Sequence, residues 1–299
     1  MRVTLIGTGN MGEPMAANLV GRGGFEVTLY DASRERAAAV AARLGCRAAA
    51  DLASAAGCDV CVTMLPTGAI VREVLTAADG GAFLAHAARG TIVVDMSSSE
   101  PLGTQETGRL LAARGLELVD APVSGGVARA VSGTLAIMIG ADSDAAVERV
   151  RPVLAALGDR LFRVGRLGAG HAMKAANNFV AAATYAAAAE ALAIGRRFGL
   201  DPGMMVDIMN VSTGRSFVSE VVMKEHVLTG RYSTGFALGL LAKDVGIAAA
   251  LGEALGVDAP LSRLTRERWE RARLAVGGER DHSAALLGWY EPMLREGER

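Results

Sequence analysis

Cysteine is scarce in this chain of 299 residues, which contains only Cys46, Cys58 and Cys61. An odd count does not make a disulfide framework. Cys58 and Cys61 form a C-x-x-C pair, but the surrounding CDVCVTML has the pattern of a buried strand. A redox pair should open a helix, and a structural zinc site needs a second pair of ligands. We therefore interpret both as core residues of a cytoplasmic protein.

The chain also lacks a charge excess, since 31 basic and 32 acidic residues give a formal net charge of −1. A nucleic-acid scaffold would normally show a basic patch, so no nucleic-acid partner is expected. The most basic stretch, RLTRERWERAR at 263–273, has glutamates interleaved and is typical of a solvated helix face. His86, His171, His226 and His282 show no metal-ligand spacing, so no metal is expected.

The sequence also shows no long uninterrupted apolar run and no pattern typical of an N-terminal leader. The most apolar segment, residues 165–200, is interrupted by Asn177 and Asn178 on one side and by Glu190 on the other. We expect the uninterrupted apolar run between these residues to be too short for a bilayer. A strand pattern follows the first two residues directly, which leaves no room for a signal peptide. The sequence therefore predicts cytoplasmic localisation without a membrane partner.

What the chain does contain is enough apolar material for a large core. Hydrophobic residues make up 51% and charged residues 21%, which is not the composition of a disordered chain. The length suggests one large domain or two of moderate size.

A glycine-rich turn stands near the N-terminus. The apolar run VTLI at 3–6 is followed by GTGNMG at 7–12 and then by a helical pattern, PMAANLVGRG. A lone G-x-G-x-x-G is weak, but strand, turn, helix and a later acidic residue together are typical of dinucleotide binding. Gly7 would permit the tight turn, Gly9 the approach of a pyrophosphate, and Gly12 the packing of helix on strand. The predicted cofactor-binding residues here are Gly7, Gly9, Asn10, Met11 and Gly12. Chance glycines in an ordinary turn are the alternative.

Asp31 bears on which dinucleotide is bound. It directly follows the strand pattern FEVTLY at 25–30. A carboxylate at this place accepts hydrogen bonds from ribose hydroxyls and repels a 2′-phosphate, which favours NAD over NADP. Arg34 and Arg36 follow closely and could offset this preference, so NADP stays possible.

Further apolar runs alternate with helical patterns up to residue 164. The candidate strands are at 59–65, 91–96, 116–121, 134–140 and 161–164. This alternation predicts a doubly wound, mostly parallel sheet with helices on both faces. Ligands bind beyond the carboxyl ends of such strands, so the loops at 64–66, 97–99 and 122–126 should converge on the glycine-rich turn. The cofactor contacts predicted there are Met64, Leu65, Pro66 and Ser98.

Strand patterns disappear after Gly165, and helical patterns continue to the end of the chain. The candidate helices are at 170–198, 203–210, 216–228, 236–255, 260–276 and 282–296. We therefore predict two domains, a Rossmann-type α/β domain at 1–164 and an all-helical domain at 165–299 that begins with a long interdomain helix. Lys174 and Asn178 lie four residues apart in that helix and so on one face.

Four motifs stand in order along the chain, at 7–19 (GTGNMGEPMAANL), 120–126 (DAPVSGG), 168–178 (GAGHAMKAANN) and 236–244 (FALGLLAKD). Together they resemble the β-hydroxyacid dehydrogenase family, over nearly the whole chain. The resemblance implies an NAD-dependent oxidoreductase that transfers a hydride between the nicotinamide and a small β-hydroxy acid.

The resemblance also implies roles for single residues. Lys174 corresponds to the catalytic lysine, which would move the proton of the hydroxyl group as general acid–base, and Asn178 to an asparagine that binds and orients the substrate. Ser124, Gly125 and Gly126 correspond to the loop that binds the substrate carboxylate, where glycines leave N–H groups unobstructed. A snorkelling lysine with a capping asparagine is the alternative for the first pair.

Other matches are less specific. Ser98 stands where the family commonly has threonine, and its hydroxyl retains the expected cofactor contact. Lys243 matches a lysine that approaches the cofactor, Asp244 supports the substrate site, and Phe236 supplies an apolar wall. The alternative is that Lys243 and Asp244 form a surface ion pair and that Phe236 is an aromatic residue of the core. His171 is at a variable family position, and we expect it to act only through neighbours or to lie at the surface.

The substrate stays open between 3-hydroxyisobutyrate, serine, a tartronate semialdehyde/glycerate pair and an aldonate. The segment VSTGRSF at 211–217 resembles 3-hydroxyisobutyrate dehydrogenases, whereas the loop SGGVARAVSG departs from their pattern at Ala128 and Arg129. Lys174 argues against imine reductases, and the short helical half argues against a 6-phosphogluconate-type enzyme. A non-catalytic dinucleotide-binding module is the rival of a different class. The resemblance implies a homodimer or homotetramer.

Overall fold

The computed structural model describes residues 1–77 and 83–295, the last five of these by their backbone alone. The chain divides into two compact units, Met1–Lys174 and Ala175–Arg299. Each unit has its own arrangement and is described by itself.

The first unit is built on a nine-stranded sheet. Its strands are β1 (Arg2–Ile6), β2 (Glu26–Tyr30), β3 (Arg47–Ala48), β4 (Val60–Thr63), β5 (Ile92–Asp95), β6 (Glu117–Asp120), β7 (Val123–Ser124), β8 (Ala136–Gly140) and β9 (Arg160–Gly165). The order β3-β2-β1-β4-β5-β6 is all parallel and is that of a doubly wound dinucleotide-binding sheet. The fold class predicted from the sequence is confirmed.

The far edge of the sheet differs from a simple parallel continuation. Strand β8 runs antiparallel to β6 and β7, while β9 pairs with β8 in parallel. Residues 121–135 contain the short helix Gly126–Ser132 and strand β7, and β7 itself pairs antiparallel with β8. The two-residue strands β3 and β7 carry no periodic pattern and were not predicted from the sequence.

Helices cover both faces of this sheet and pack on two separate apolar clusters. They are α1 (Gly12–Gly23), α2 (Arg34–Leu44), α3 (Leu52–Ala55), α4 (Gly68–Thr76), α5 (Phe83–His86), α6 (Pro101–Ala112), α7 (Gly126–Ser132), α8 (Asp144–Leu157) and the start of α9 (Ala169–Phe198). Strand residues alternate between the clusters, with Leu5 in one and Ile6 in the other. Cys58 and Cys61 are buried in the second cluster, as predicted.

The second unit is helical throughout its described residues. It comprises the rest of α9, α10 (Pro202–Asn210), a π-helix (Val218–Val227), α11 (Leu238–Ala254), α12 (Pro260–Val276), a 3-10 turn (His282–Ala284) and α13 (Ala285–Arg295). Its core centres on Trp269, whose indole N–H donates to the carbonyl of Ala182 over 3.1 Å. The Tyr185 ring packs against Trp269 at a centroid distance of 5.4 Å. The π-helix occupies the helical stretch predicted at 216–228.

Helix α9, with 30 residues, is the one described helix long and apolar enough by composition to cross a membrane. The uninterrupted apolar run within it, between Asn178 and Glu190, is shorter than the helix itself. A core helix meets the same criterion, and α9 supplies Ala182, Tyr185 and Ala189 to the core of the second unit. The Tyr185 hydroxyl donates to the carbonyl of Ser283 over 2.6 Å, a contact made within the protein.

Tyr185→Phe should lower the free energy of unfolding by about 1–3 kcal/mol, because the buried Ser283 carbonyl loses its donor. Urea unfolding followed by tryptophan fluorescence measures this. Thr184→Ala is the matched control, because the Thr184 hydroxyl bonds only within its own helix, to Val180, and the change should stay within about 0.5 kcal/mol. Equal stability of Tyr185→Phe and wild type would contradict the assignment.

Candidate active site

The glycine-rich turn connects the end of β1 to the start of α1. The Gly7 N–H donates to the Tyr30 carbonyl over 2.8 Å, and Gly7 has a φ of +99° that favours glycine. A Cβ on Gly7 would overlap the carbonyl oxygen of Met64, and one on Gly12 would overlap that of Gly7. Both glycines are therefore required by the packing of the turn itself.

Gly9 differs from these two because a Cβ built there meets no atom within 4 Å. The packing of the turn therefore does not require glycine at this position, and the missing side chain leaves the backbone of the turn open on this side. Met11, which precedes α1, provides no side-chain cap for the N–H groups of the first helical turn. An open backbone face and uncapped N–H groups at a helix N-terminus fit the phosphates of a dinucleotide.

Asp31 follows β2 and reaches back to this turn. One carboxylate oxygen accepts hydrogen bonds from the Thr8 N–H and hydroxyl, and the other accepts from the Ser33 N–H. Partial burial opposes its ionisation, but these hydrogen bonds and the nearby Arg36 together lower the pKa of Asp31. Asp31 is thus an anion beside the glycine-rich turn. The bond between Asp31 and Thr8 was missed in the sequence.

The loops after β4 and β5 are bound to each other through Asp95, the last residue of β5. Its carboxylate is buried and accepts hydrogen bonds from Thr63 Oγ1, the Ser97 N–H and Ser99 Oγ, at 2.7–3.0 Å. Ser97 Oγ in turn accepts from the Leu65 N–H over 2.9 Å. The structure therefore brings the predicted loops at 64–66 and 97–99 together, with Met64, Pro66 and Ser98 in them.

The predicted substrate loop follows β6 and is continuous with α7. Ser124 is half-buried, whereas Gly125 and Gly126 are exposed with positive φ angles of +133° and +64°. Helix α7 is fastened to α1 by Asn18, whose amide donates to the Ala130 carbonyl over 2.7 Å. The exposed Gly-Gly backbone is therefore carried on an anchored element.

Arg129, on α7, lies over this loop. A Cβ on Gly125 would come within 3.0 Å of three methylene carbons of Arg129, so the side-chain stem follows the loop backbone. The Arg129 guanidinium forms no hydrogen bond or ion pair with the described residues. The loop thus presents a positive charge next to its exposed N–H groups.

Lys174 is half-buried and ends the first unit, within the N-terminal part of α9. The start of α9 is bound to Asp120, the last residue of β6, which accepts hydrogen bonds from the Gly168 and His171 N–H groups at 2.7 and 2.8 Å. His171 is buried and its Nδ1 contacts the Thr104 hydroxyl, so it does not lie at the surface. Asp120 was missed in the sequence, although it opens the DAPVSGG motif.

In the second unit, three of the predicted residues lie together. Asn178 Nδ2 donates to Asp244 Oδ2 over 2.6 Å, and Lys243 Nζ lies 3.3 Å from Asp244 Oδ1. Asn178 and Asp244 are buried, so this is not a surface ion pair. Phe236 is half-buried, with its ring centroid 5.9 Å from that of His282. Asp244 therefore fixes the orientation of the Asn178 amide.

No group of three or more histidine, cysteine or acidic side chains that could hold a metal ion occurs in residues 1–77 and 83–295.

Two known families match successive parts of this chain. The NAD binding domain of 6-phosphogluconate dehydrogenase matches residues 2–165. The NAD-binding region of NADP-dependent 3-hydroxyisobutyrate dehydrogenase matches residues 168–289.

Individual relatives match over almost their full length. The 2-(hydroxymethyl)glutarate dehydrogenase of Eubacterium barkeri is 37% identical over 97% of this chain and 95% of its own. The NAD-dependent L-serine dehydrogenase of Pseudomonas aeruginosa is 34% identical over 94% and 95%. Among solved structures, 3-hydroxyisobutyrate dehydrogenase of Mycobacterium tuberculosis with L-serine has a TM-score of 0.87 at 32% identity, covering 99% of this chain and 100% of that one.

Gly9→Ala and Gly12→Ala should have different effects, the first on NADH affinity and the second on the free energy of unfolding. The Gly9 Cβ meets only open space, so stability should stay within about 0.5 kcal/mol of wild type while NADH affinity falls at least about tenfold. The Gly12 Cβ overlaps the Gly7 carbonyl, so stability itself should fall by about 1–3 kcal/mol. NADH fluorescence titration and far-UV circular dichroism in urea measure the two effects. Wild-type NADH affinity in Gly9→Ala would contradict the proposed phosphate contact.

Proposed function

The chain belongs to the β-hydroxyacid dehydrogenase family and is an NAD(P)-dependent oxidoreductase of CH–OH groups, and we propose that Lys174 is its general acid–base. A bound nicotinamide supplies the hydride acceptor or donor. In the oxidative direction, Lys174 Nζ accepts the proton of the substrate hydroxyl, and in the reductive direction it returns that proton. The observation that carries this role is the half-buried place of Lys174 on a helix whose start is bonded to the end of β6.

Cofactor binding is proposed for the residues around the glycine-rich turn. The N–H groups at the start of α1 and the open face of Gly9 would hold the pyrophosphate. The Asp31 anion would accept from the adenosine ribose and disfavour a 2′-phosphate, which favours NAD, while Arg36 keeps NADP possible. Further contacts are assigned to Asn10, Met64, Leu65, Pro66, Ser98 and Lys243.

Substrate binding is proposed for the loop after β6 and for residues of the helical unit. Ser124, Gly125 and Gly126 would bind the substrate carboxylate through hydroxyl and N–H groups. Asn178, oriented by Asp244, would donate to the substrate, and Phe236 would exclude water from it. We assign residues 1–164 to the cofactor and residues 165–299 to the substrate and to subunit association.

We propose a homodimer or homotetramer in the cytoplasm. In support, several large apolar side chains on the described surface of the helical unit are exposed, among them Phe198 and Val211 at 84% and 86%. Exposed apolar patches commonly mark sites of association between proteins.

Lys174→Met should lower kcat for the best substrate about 10²–10⁴-fold, because the substituted side chain fills the space but transfers no proton. NADH absorbance with a panel of β-hydroxy acids measures this, and NADH titration should show unchanged affinity. Lys224→Met is the matched control, because Lys224 is exposed and paired with Asp207. Retained turnover in Lys174→Met would exclude Lys174 as the base and leave the family assignment untouched.

Arg129 favours one substrate class over the open alternatives, namely β-hydroxy acids with a second acidic group. Its guanidinium has no partner among the described residues, and its stem lies along the loop proposed to bind the first carboxylate. A second carboxylate would form charge-assisted hydrogen bonds with it. The relative that acts on 2-(hydroxymethyl)glutarate, a dicarboxylate, supports this choice. 3-Hydroxyisobutyrate and serine have only one acidic group and would leave Arg129 unused.

Arg129→Ala should lower kcat/KM for dicarboxylates such as 2-(hydroxymethyl)glutarate about 10–100-fold, because a charged hydrogen bond of about 1.5–3 kcal/mol is lost. It should change kcat/KM for 3-hydroxyisobutyrate less than about threefold. Initial rates with both substrates at saturating NAD measure the ratio. Arg114→Ala, another exposed arginine, is the control for net charge. An equal loss for both substrates would show that Arg129 does not select a second acidic group.

A further inference from the structure

We propose that Asp120, together with His171, is a positioning residue that fixes the direction of Lys174, a role that rests on the proposed function of Lys174. Asp120 is fully buried and both of its carboxylate oxygens accept from backbone N–H groups, so we assign it no contact with substrate or cofactor. It is the last residue of β6 and stands four residues before Ser124 in the loop proposed to bind the substrate carboxylate. One side chain therefore joins the strand that carries this loop to the helix that carries the base.

The bonds of Asp120 replace a helix cap that α9 cannot make for itself. Gly168 precedes α9, and its carbonyl accepts the first helical hydrogen bond, from Ala172. A capping residue with a hydroxyl or carboxylate would serve the N–H three residues on, but glycine has no side chain. Asp120 Oδ1 accepts from the Gly168 N–H over 2.7 Å, and Asp120 Oδ2 accepts from the His171 N–H over 2.8 Å. Both carboxylate oxygens are thus engaged by the first turn of α9.

Two glycines make room for this carboxylate. A Cβ on Gly170 would lie 2.8 Å from Asp120 Oδ2, and one on Gly140 would overlap Asp120 Oδ1. Neither glycine has a positive φ, so the backbone conformation does not require glycine at these two positions. The missing side chains instead allow the close approach of the Asp120 carboxylate. The carboxylate is enclosed by β8 on one side and by α9 on the other.

The His171 side chain also connects the first turn of α9 to α6. The Thr104 hydroxyl donates its single proton to the Glu100 carbonyl over 3.1 Å, so it accepts from His171 Nδ1 over 2.8 Å. His171 Nε2 faces Asp95 Oδ2 at 3.6 Å. The first turn of α9 therefore lies between the buried carboxylates at the ends of β5 and β6.

Lys174 follows His171 by three residues, which places both on the same face of α9. Whatever fixes the rotation of the first turn also fixes the direction in which the Lys174 side chain leaves the helix. Displacement of a reacting group by about 1 Å can lower a rate about 10²-fold. The bonds of Asp120 and His171 hold this rotation relative to the strand that carries Ser124.

Asp120→Asn tests the proposal with almost no change of volume. Its amide nitrogen cannot accept, so one of the two N–H groups of α9 loses its acceptor. We expect kcat to fall at least about tenfold while NADH affinity stays within about twofold of wild type. Asp142→Asn is the matched control, because Asp142 accepts from Arg166 and the Leu167 N–H beside the same turn but is exposed. It should retain wild-type kcat.

A second readout does not depend on turnover. The chain contains only three lysines, Lys174, Lys224 and Lys243. Acetic anhydride labelling followed by peptide mass spectrometry gives the labelling rate of Lys174 relative to exposed Lys224 across a pH series. We expect Asp120→Asn to change this ratio at least about threefold and Asp142→Asn to leave it unchanged.

A lowered melting temperature of Asp120→Asn with wild-type kcat and wild-type labelling ratio would show a purely structural role and overturn the proposal. If Asp120→Asn does not fold, His171→Gln and His171→Ala replace it. Glutamine can donate to Thr104 and should recover part of the kcat and labelling ratio that alanine loses, and equal values for both would also overturn the proposal. Retained turnover in Lys174→Met contradicts the proposed function alone, because the labelling ratio still tests the position of Lys174.

Discussion

Three aspartates at the ends of parallel strands hold the candidate site of the first unit together. Asp31 follows β2, Asp95 ends β5 and Asp120 ends β6, and each accepts backbone N–H groups from segments that come later or earlier in the chain. The carboxyl ends of parallel strands meet at one edge of a sheet, so side chains there can cross-link loops that are remote in sequence. A carboxylate accepts several hydrogen bonds at once, which suits it to this task. The glycine-rich turn, the 97–99 loop and the start of α9 all depend on such a bond.

This arrangement explains which parts of the site could be predicted from the sequence. The glycine-rich turn and Asp31 form a local pattern of strand, turn, helix and strand, and its geometry follows from spacing alone. The roles of Asp95 and Asp120 depend on which loops lie next to each other, and this is set by strand order and not by spacing. The same holds for His171, whose partner Thr104 lies 67 residues away. Nothing in the sequence pattern of this alanine-rich helix indicates that His171 is buried.

In the helical unit, too, the sequence predicted the elements but not the contacts between them. The helix positions follow from apolar periodicity, and the described helices lie where they were predicted. The hydrogen bond between Asn178 and Asp244 joins two helices separated by 66 residues, and only the resemblance to a family pointed to both residues. The π-helical geometry of residues 218–227 has no recognisable pattern, because it widens the turn without altering which residues are apolar.

The placement of the aromatic side chains makes the two units optically distinct. Both tryptophans of the chain, Trp269 and Trp289, lie in the helical unit, in one cluster with Tyr185. Intrinsic tryptophan emission therefore reports on the packing of that unit, and the sheet of the first unit contributes to the ellipticity without contributing to this emission. If the units lose their structure at different denaturant concentrations, the two optical signals will have different midpoints. A difference between the two curves then measures how strongly the units depend on each other for stability.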